Sequence, residues 1–432
     1  MAKGKHAKQT QSYRQPPGRN RHPSKKHKGH YGVFLLALVA LGVFIWGIGA
    51  SERSPVIGPA EDISPTSTPI PSPTPEPTPI VQTVRFSASG DNLIHKPIYQ
   101  QAARRATDGK AYDFAYVYEN LAPFYAQFDV NWINQESLVS DTIPPATYPC
   151  FSTPGECARA LYDIGFRVFA LSNNHSYDQG TKGLSATLDF WQSMPEDTLT
   201  TGLWKGPEDY GRIPVQEVNG IKIAYLAYTE HTNGIRIDLS RNPEANVIYI
   251  TETEIMQNQI AQAREVADVV VVGVHWGIEY SNKESDAQKA LAQQLADWGA
   301  DLIIGTHPHV LQNAQWLTAA DGRQSFVAYS LGNFISTQDR TPRAVGGILS
   351  VDMVKTTDVD GSISVALQEP KIHPVITHYD SGRSNVRNYL YRDYTTELAS
   401  KHGMNAYDNT FSYDQLRKIA EDAVSAEFLD FD

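Results

Sequence analysis

The sequence predicts a layered α/β domain that follows an N-terminal region of different composition. From residue 81 onward, short apolar runs alternate with amphipathic segments, which is the pattern of alternating strands and helices. Polar residues follow five of the apolar runs, and α/β sheets bind ligands beyond the carboxyl ends of their strands. The first 80 residues lack this alternation, so we expect them to lie outside the domain.

The N-terminal region reads as a cytoplasmic tail followed by a membrane anchor. Residues 1–30 contain nine Lys or Arg, four His and no acidic residue, which is typical of a disordered basic tail. Residues 31–50 carry no charge, and 20 residues at ~1.5 Å each can cross a hydrocarbon core of ~30 Å. The basic flank predicts a cytoplasmic N-terminus and an extracytoplasmic remainder. A cleaved signal peptide is the alternative, but the long apolar run favours an uncleaved anchor at the cell membrane.

A proline-rich linker separates this predicted anchor from the outer domain. Residues 51–80 contain nine prolines, which favour an extended polyproline II spacer of ~3.1 Å per residue. We expect the main domain to cover residues 81–378. Residues 379–432 form a C-terminal extension for which the sequence indicates no role.

Strands and helices are predicted by their apolar periods. The predicted strands are 83–89, 128–134, 166–172, 221–228, 268–276, 300–305 and 326–332. The predicted helices are 154–164, 181–193, 253–266 and 285–298. Residues 345–378 read as β-hairpins around a turn at 359–362.

The charge balance restricts the partners of the outer domain. Nine of the 37 Lys and Arg lie in the tail, which leaves 28 against 48 Asp and Glu, a charge of about −20 for residues 31–432. Such a surface repels polyanions, so we expect no nucleic-acid partner. An acidic substrate would need a local cationic site such as a metal ion.

The chain has two cysteines, Cys150 and Cys157, on either side of the sequence FSTPGE. In an exported domain this spacing favours a disulfide that stiffens a small loop. Two free thiols are the alternative.

His307 and His309 follow the apolar run 302–305 and are separated by Pro308. Residues two apart on an extended backbone point to the same side, and proline biases the preceding residue toward that conformation. We therefore expect an extended segment at the rim of a sheet that directs both imidazoles toward a cation. A pair of exposed or hydrogen-bonded loop histidines would show the same spacing.

Other polar residues after the predicted strands strengthen the metal interpretation. Each alone has an ordinary explanation as a turn cap or ion-pair partner. Together they offer carboxylate, amide and imidazole ligands from separate loops, which suits one or two Mn, Zn, Fe or Mg ions. The absence of thiolates disfavours a structural zinc. The predicted ligands are Asp91, Glu136, Asn174, His275, His307 and His309.

Six motifs in order identify a resemblance to a known family. They are GDNLIH, NQES, SNNHSYDQGTKGLSATL, HWGIEY, ADLIIGTHPHVLQ and YSLGNF. Across roughly residues 83–335 the chain resembles the bacterial capsule-synthesis family of CapA type, which is associated with poly-γ-glutamate. That family is similar in fold to the calcineurin-like metallophosphoesterases. The resemblance implies an α/β/β/α arrangement in which helices flank a β-sandwich.

The resemblance also implies roles for individual residues. His175 matches the histidine that protonates a leaving group or stabilises phosphate. The motif residues predicted to bind substrate are His95, Asn173, Glu279 and Asn333. This sequence departs from the superfamily pattern at Asp91-Asn92-Leu93, where a histidine ligand is missing, and at Glu136, which replaces an aspartate. The number of metal ions therefore stays open.

These observations predict an extracytoplasmic protein of poly-γ-glutamate capsule biosynthesis or export with a metal-dependent, hydrolase-like site. Its expected partners are the lipid bilayer, poly-γ-glutamate or another acidic polymer, and membrane-bound polymer synthase subunits. Two alternatives belong to other classes. One is a non-catalytic polymer-binding assembly factor, and the other is an extracellular metallophosphoesterase unrelated to capsule.

Overall fold

A computed structural model describes residues 77–235 and 246–432 of the chain. The predicted basic tail, the predicted membrane span at 31–50 and the linker up to residue 76 lie outside the described residues. Within the two described ranges, no helix combines the length and the apolar character needed to cross a membrane.

The described chain folds into sixteen strands and nine α-helices, joined by short 3₁₀ turns. The strands are β1 (Ile80–Asn92), β2 (Val130–Asn134), β3 (Val139–Ser140), β4 (Thr153–Pro154), β5 (Phe166–Ala170), β6 (Leu199–Thr201), β7 (Val215–Val218), β8 (Ile221–Thr229), β9 (Val269–His275), β10 (Leu302–Thr306), β11 (Ala314–Thr318), β12 (Gln324–Ala328), β13 (Asn333–Ile335), β14 (Val345–Thr357), β15 (Ile363–Asp380) and β16 (Ser384–Leu390). The helices are α1 (Lys96–Arg105), α2 (Ala115–Tyr118), α3 (Ala122–Tyr125), α4 (Gly155–Asp163), α5 (Gly180–Gln192), α6 (Thr253–Val266), α7 (Asp286–Trp298), α8 (Thr396–Lys401) and α9 (Tyr413–Ala423).

Two large sheets carry the fold. The first has the order β16-β15-β14-β1-β2-β5-β6, with β13 also paired to β1, and the second has the order β11-β12-β10-β9-β8-β7. In the first sheet β1, β2, β5 and β6 run parallel to their neighbours in that series, and in the second β8, β9, β10 and β12 do so. The mixed α/β class is confirmed. Each sheet therefore offers a row of strand carboxyl ends at which loops can meet.

The sheets pack face to face, and helices cover their outer sides. Trp132 of β2 reaches across to Gly273 of β9 so closely that a Cβ there would lie 2.8 Å from the indole ring. On the far side of the second sheet, α6 and α7 bury a separate apolar cluster against alternate residues of β8 and β9. On the far side of the first sheet, the Tyr125 hydroxyl of α3 lies 2.7 Å from Ser89 Oγ of β1. The faces of both sheets are thus occupied by packed side chains. The side chains that bind polar ligands are therefore expected at the strand ends.

The segment after residue 378 belongs to the first sheet. The boundary expected at 378/379 falls inside β15, and β16 pairs antiparallel with that strand. Near the C-terminus, the Ile372 amide donates to Phe428 O at 2.6 Å and Ile372 O accepts from the Asp430 amide at 3.0 Å. The C-terminal residues therefore extend and brace the sheet.

The expected disulfide between Cys150 and Cys157 is not formed. Cys150 is exposed in the loop before β4, whereas Cys157 lies on the inward face of α4 and is fully buried. Its thiol lies 3.3 Å from the Tyr118 hydroxyl. The spacing rule failed because α4 begins at Gly155 and turns the second cysteine into the core.

The C-terminal segment also contains a buried neutral histidine, His402. Its Nε2 donates to Thr377 O at 3.0 Å, and its Nδ1 accepts from the Met404 amide at 2.9 Å. Burial lowers the pKa of His402 from 6.5 to about 3. Because the unfolded chain takes up this proton first as the pH falls, the stability that depends on the neutral ring is complete above about pH 6.5 and is lost toward about pH 3.

We therefore expect His402 to contribute about 2 kcal/mol to the fall in unfolding free energy between about pH 7.5 and about pH 5. The variant His402→Gln should be less stable at the higher pH but should lose less stability on acidification, by about that amount. Urea unfolding of both proteins at both pH values measures the difference. Equal pH dependence in the two proteins would contradict the assignment.

Candidate metal centre

The predicted ligands converge where the carboxyl ends of both sheets meet. Asp91 lies near the end of β1, Glu136 follows β2, and His275 ends β9. The residue before Asp91 is glycine, Gly90, because a Cβ at this position would lie 2.0 Å from the carbonyl oxygen of Gly332. The absence of that side chain lets the Asp91 amide donate to the same carbonyl at 2.9 Å. This bond fixes where the Asp91 carboxylate emerges.

His307 and His309 do not lie on extended backbone, so that prediction was wrong. Strand β10 ends at Thr306, and the two histidines have φ angles of 100° and 61° in the left-handed region. Non-glycine residues in sparsely populated backbone regions cost about 1–3 kcal/mol each. The His307 amide lies 3.3 Å from Asp91 Oδ2, so the strained turn is held against the end of β1. The histidines converge through this turn, without strand alternation.

The side chains form two groups that share Glu136. One group is Glu136, His275 and His307, and the other is Asp91, Glu136 and His309, with the ligand atoms of each group within 4.8 Å of one another. Glu136 Oε1 lies 3.6 Å from His275 Nε2, and Oε2 lies 3.6 Å from His309 Nδ1. The two carboxylate oxygens of Glu136 therefore face different groups.

The position of the Glu136 carboxylate fits that of a metal ligand. The side chain is fully buried, and neither oxygen accepts a hydrogen bond within the described part of the chain. Burial raises its pKa well above the usual range, and the nearby Asp91 and Glu279 add to the shift. Burying an unpaired carboxylate costs several kcal/mol, which a bound divalent cation would offset. The donor set of carboxylates and imidazoles fits such an ion.

The imidazoles are in the state that metal ligation needs. Burial lowers the pKa of His275 well below 6.5, and burial together with His309 lowers the pKa of His307 to about 3. Both rings are therefore neutral at physiological pH. His275 Nε2 lies 3.1 Å from His307 Nδ1 and 3.1 Å from Asn174 Oδ1, while its Nδ1 lies 3.0 Å from Thr306 Oγ1. A proton on Nδ1, donated to Thr306 Oγ1, would leave the Nε2 lone pair of His275 for a metal ion.

An open cleft of about 470 Å³ lies beside these groups. Its wall includes His309 together with His95, His175 and Glu279, three residues assigned to catalysis or substrate binding from the sequence. His95 Nδ1 accepts from the Thr337 amide at 3.3 Å, which leaves its Nε2 to carry the proton in the neutral ring. The cleft therefore combines predicted metal ligands with groups that can exchange or donate protons.

His175 is held in one orientation by a carboxylate. Its Nδ1 lies 2.7 Å from Asp178 Oδ2, and the Phe151 amide donates to the same oxygen at 2.6 Å. The Phe151 ring packs edge-on against the imidazole at 4.7 Å between centroids. A histidine whose Nδ1–H is fixed by a carboxylate keeps Nε2 for proton transfer.

Asn173 and Asn333 support the site and do not line the cleft. The Asn173 Nδ2 donates to Gln135 O at 2.8 Å, and its Oδ1 accepts from the His175 amide at 3.0 Å. Asn333 Nδ2 donates to His309 O at 3.3 Å. Both residues are buried. Their hydrogen bonds position the backbone of His175 and His309, and their predicted contact with substrate stays a prediction.

Two residues that the sequence reasoning did not single out complete the centre. Asn134 Nδ2 donates to Asp91 Oδ1 at 2.8 Å, so it orients that carboxylate. Asp178 orients His175 as described above. Both belong to motifs already recognised, at positions two before Glu136 and three after His175. Their short spacing from predicted site residues was the available signal.

The fold and the site define a mixed α/β domain with a buried carboxylate–imidazole centre of metal-binding type. Residues 85–338 match the family described as bacterial capsule synthesis protein PGA_cap, and the chain belongs to this family. All six predicted metal ligands lie within the matched range. The predicted CapA-type membership is therefore confirmed.

Curated relatives carry the same family character. The capsule biosynthesis protein CapA of Bacillus anthracis is 32% identical over 253 residues, covering 57% of this chain and 58% of that protein. The PGA biosynthesis protein CapA of Bacillus subtilis (strain 168) is 34% identical over 189 residues, covering 44% of this chain and 47% of that protein. The matches thus span about half the length of these relatives.

Solved structures show weaker similarity. The NAD nucleotidase NadN of Haemophilus influenzae is 13% identical with a TM-score of 0.37, covering 81% of this chain and 64% of that chain. A putative 5'-nucleotidase from Staphylococcus aureus is 14% identical with a TM-score of 0.37, covering 66% and 54%. Similarity at this level does not bear on the activity of this chain.

Glu136→Gln tests the centre because the amide keeps the shape and removes the charge. We expect the variant to lose bound divalent metal in elemental analysis of protein purified without chelator. We also expect the metal-free variant to be more stable than metal-free wild type. Near pH 7.5 its free energy of unfolding should be larger by about 1–2 kcal/mol, because the buried charge is gone.

Glu265→Gln is the matched control, because Glu265 is an exposed glutamate of α6. It should leave both metal content and stability unchanged. Full metal retention in Glu136→Gln would show that the shared carboxylate does not hold the ion.

Proposed function

We propose that this chain is a membrane-anchored, extracytoplasmic protein of poly-γ-glutamate capsule biosynthesis or export, with a metal-dependent, hydrolase-like site in its outer domain. Family membership supports the connection to capsule synthesis. The sharing of the unpaired, buried Glu136 carboxylate by two ligand groups is the observation that carries the proposed site. The charge pattern of residues 1–50 supports the anchor and its orientation.

The arrangement favours two metal ions, and Glu136 would be a ligand of each. His275 and His307 would hold one ion, with Asn174 Oδ1 as a further oxygen beside His275 Nε2. Asp91 and His309 would hold the other. Divalent ions in such a site supply Lewis acidity and lower the pKa of water. Their charge also offsets the negative potential of an acidic domain.

The chain's own residues then divide the remaining work. The cleft of about 470 Å³ beside His309 would hold the substrate. In hydrolysis of a γ-glutamyl amide, water adds to the carbonyl carbon, the C–N bond breaks, and the leaving nitrogen needs a proton. His175, with its Nδ1–H donated to Asp178, would take up on Nε2 the proton released by the adding water and pass it to the leaving nitrogen. A phosphoester would use the same acid for its leaving oxygen.

His175→Ala separates chemistry from metal binding. We expect the variant to retain the metal, because His175 belongs to neither ligand group, and to lose hydrolysis of γ-glutamyl polymer by ~10²–10⁴-fold. Elemental analysis and polymer chain-length measurements give the two readouts, and complementation of a deletion strain gives the capsule phenotype.

The outcomes distinguish the candidate functions. Normal capsule with His175→Ala at wild-type protein levels would favour the non-catalytic assembly factor. Hydrolysis of phosphoesters but not of γ-glutamyl polymer, together with normal capsule in the deletion strain, would favour the unrelated phosphoesterase.

The proposed topology has its own test. Protease added to intact, wall-stripped cells should remove the domain that follows residue 80 and leave residues 1–30 protected, because the basic flank retains the N-terminus in the cytoplasm. Immunoblotting with tags at both termini reads out each side. Protection of the C-terminal tag would overturn the proposed orientation.

A further inference from the structure

An arginine stacks on the wall of the cleft beside the metal centre. The Arg343 guanidinium carbon lies 3.5 Å from the centroid of the Tyr280 ring. Tyr280 lines the cleft, and its ring centroid is 6.0 Å from that of His309. Arg343 lies in the 3₁₀ turn Thr341–Ala344, outside the six motifs of the sequence. None of the assignments above gives it a role.

None of the described residues that line the cleft is a lysine or an arginine, and Glu279 adds a negative charge. Arg343 reaches the cleft wall through its contact with Tyr280, and Arg383 lies near enough to His95 of the same wall to help lower that residue's pKa. An acidic ligand entering this cleft would therefore be attracted by the metal centre and by these two arginines at its edge.

The guanidinium has hydrogen-bonding capacity to spare. Its nearest acidic partner is Asp339, at 3.6 Å between Arg343 Nη1 and Asp339 Oδ1, beyond hydrogen-bonding distance. Arg212, by contrast, donates to both oxygens of Asp209 at 2.8 and 3.0 Å. The Arg343 side chain is 21% exposed. An arginine whose guanidinium lies over an aromatic ring can keep N–H donors at its edge free to bind a carboxylate in bidentate fashion.

Backbone hydrogen bonds connect this arginine to the metal centre. The Tyr280 amide donates to Pro308 O at 2.8 Å, between the two histidines of the strained turn. Asn333 Nδ2 lies 2.9 Å from Arg343 O and 3.3 Å from His309 O, so one buried amide contacts both backbones. The backbone from which the Arg343 side chain extends is therefore held close to the backbone of His309. Fixed spacing between a cation and a reactive centre is what recognition of a repeating anionic chain requires.

We propose that Arg343, stacked on Tyr280, is the substrate-recognition residue of this cleft and binds a carboxylate of an acidic polymer next to the metal centre. This inference rests on the proposed function and specifies its substrate class as a polycarboxylate. Tyr280 is the platform on which the guanidinium rests. Asn333 connects the backbone of Arg343 to the backbone of His309.

The test measures binding of a fluorescent γ-linked glutamate oligomer of about ten residues to the full-length chain by anisotropy. Binding is measured with metal-free protein and again with added Mn²⁺. We expect Arg343→Gln to weaken binding about tenfold or more in both states, the loss associated with a charge-assisted bidentate pair. Arg343→Lys keeps the positive charge but lacks the bidentate donors of the guanidinium. Its affinity for the oligomer should therefore be closer to that of Arg343→Gln than to that of wild type. Tyr280→Leu should weaken binding through loss of the platform.

Arg340→Gln is the matched control. Arg340 is exposed three residues away in the chain and carries the same charge, so its loss should change affinity by less than about twofold at physiological salt. The same oligomer with amidated α-carboxyls should bind wild type and Arg343→Gln equally weakly. Metal content should be the same in wild type and in both Arg343 variants.

Equal affinities of wild type and Arg343→Gln, or absence of oligomer binding by wild type in both metal states, would overturn the proposal. So would equal losses in Arg343→Gln and Arg340→Gln, which would indicate general charge attraction. Failure of the proposed function is distinguishable. If the chain binds no metal or leaves capsule unaffected, while Arg343→Gln still weakens binding to the metal-free protein, recognition by Arg343 stands without the hydrolase-like site.

Discussion

Glu136 places a carboxylate where the carboxyl ends of both sheets meet, and neither of its oxygens accepts a hydrogen bond from the described residues. A charge in that position is costly unless a cation compensates it, so the surrounding side chains must be arranged for the bound state. Asp91 adds a second carboxylate, and the neutral rings of His275 and His307 add nitrogen donors on the other side. With Glu136 ionised and no cation bound, the centre would be an electrostatically strained part of the fold that the apolar packing of the two sheets holds together.

The turn after β10 adds backbone strain at the same place. His307 and His309 both occupy left-handed backbone conformations that favour glycine, yet histidine is required there for its ring. The strain persists because neighbouring elements overdetermine the turn: the end of β1 contacts it through Asp91, and Tyr280 donates to Pro308 O. Backbone strain and buried charge thus occur together in the segment that brings the two ligand groups within reach of one glutamate.

The sequence predicted this centre well where local pattern decides the outcome. Helix α6 was predicted with its observed limits, and polar residues after five strands do converge because parallel strands align their carboxyl ends. The division of ligands into two groups was not predictable, since it depends on how far β2 of one sheet lies from β9 of the other. The inward turn of Cys157 and the supporting role of Asn173 were missed for a related reason: spacing along the chain does not give the direction of a side chain. Arg343 carried no signal because it reaches the cleft only through the tertiary fold.

Recognition of an acidic polymer by this chain is an electrostatic problem on two length scales. Residues 31–432 carry a charge of about −20, so at distances beyond a Debye length of ~8–10 Å the domain offers no general attraction for a polyanion. Close to the cleft, Arg343 and the proposed divalent ions would reverse the sign of the potential over a few ångströms. Such an arrangement selects an anionic chain by short-range contacts while leaving its flanking segments repelled by the surface. On the proposed function, the polymer would be held at one point and would not adsorb along the domain, which suits a protein that must act on a chain and then let it pass.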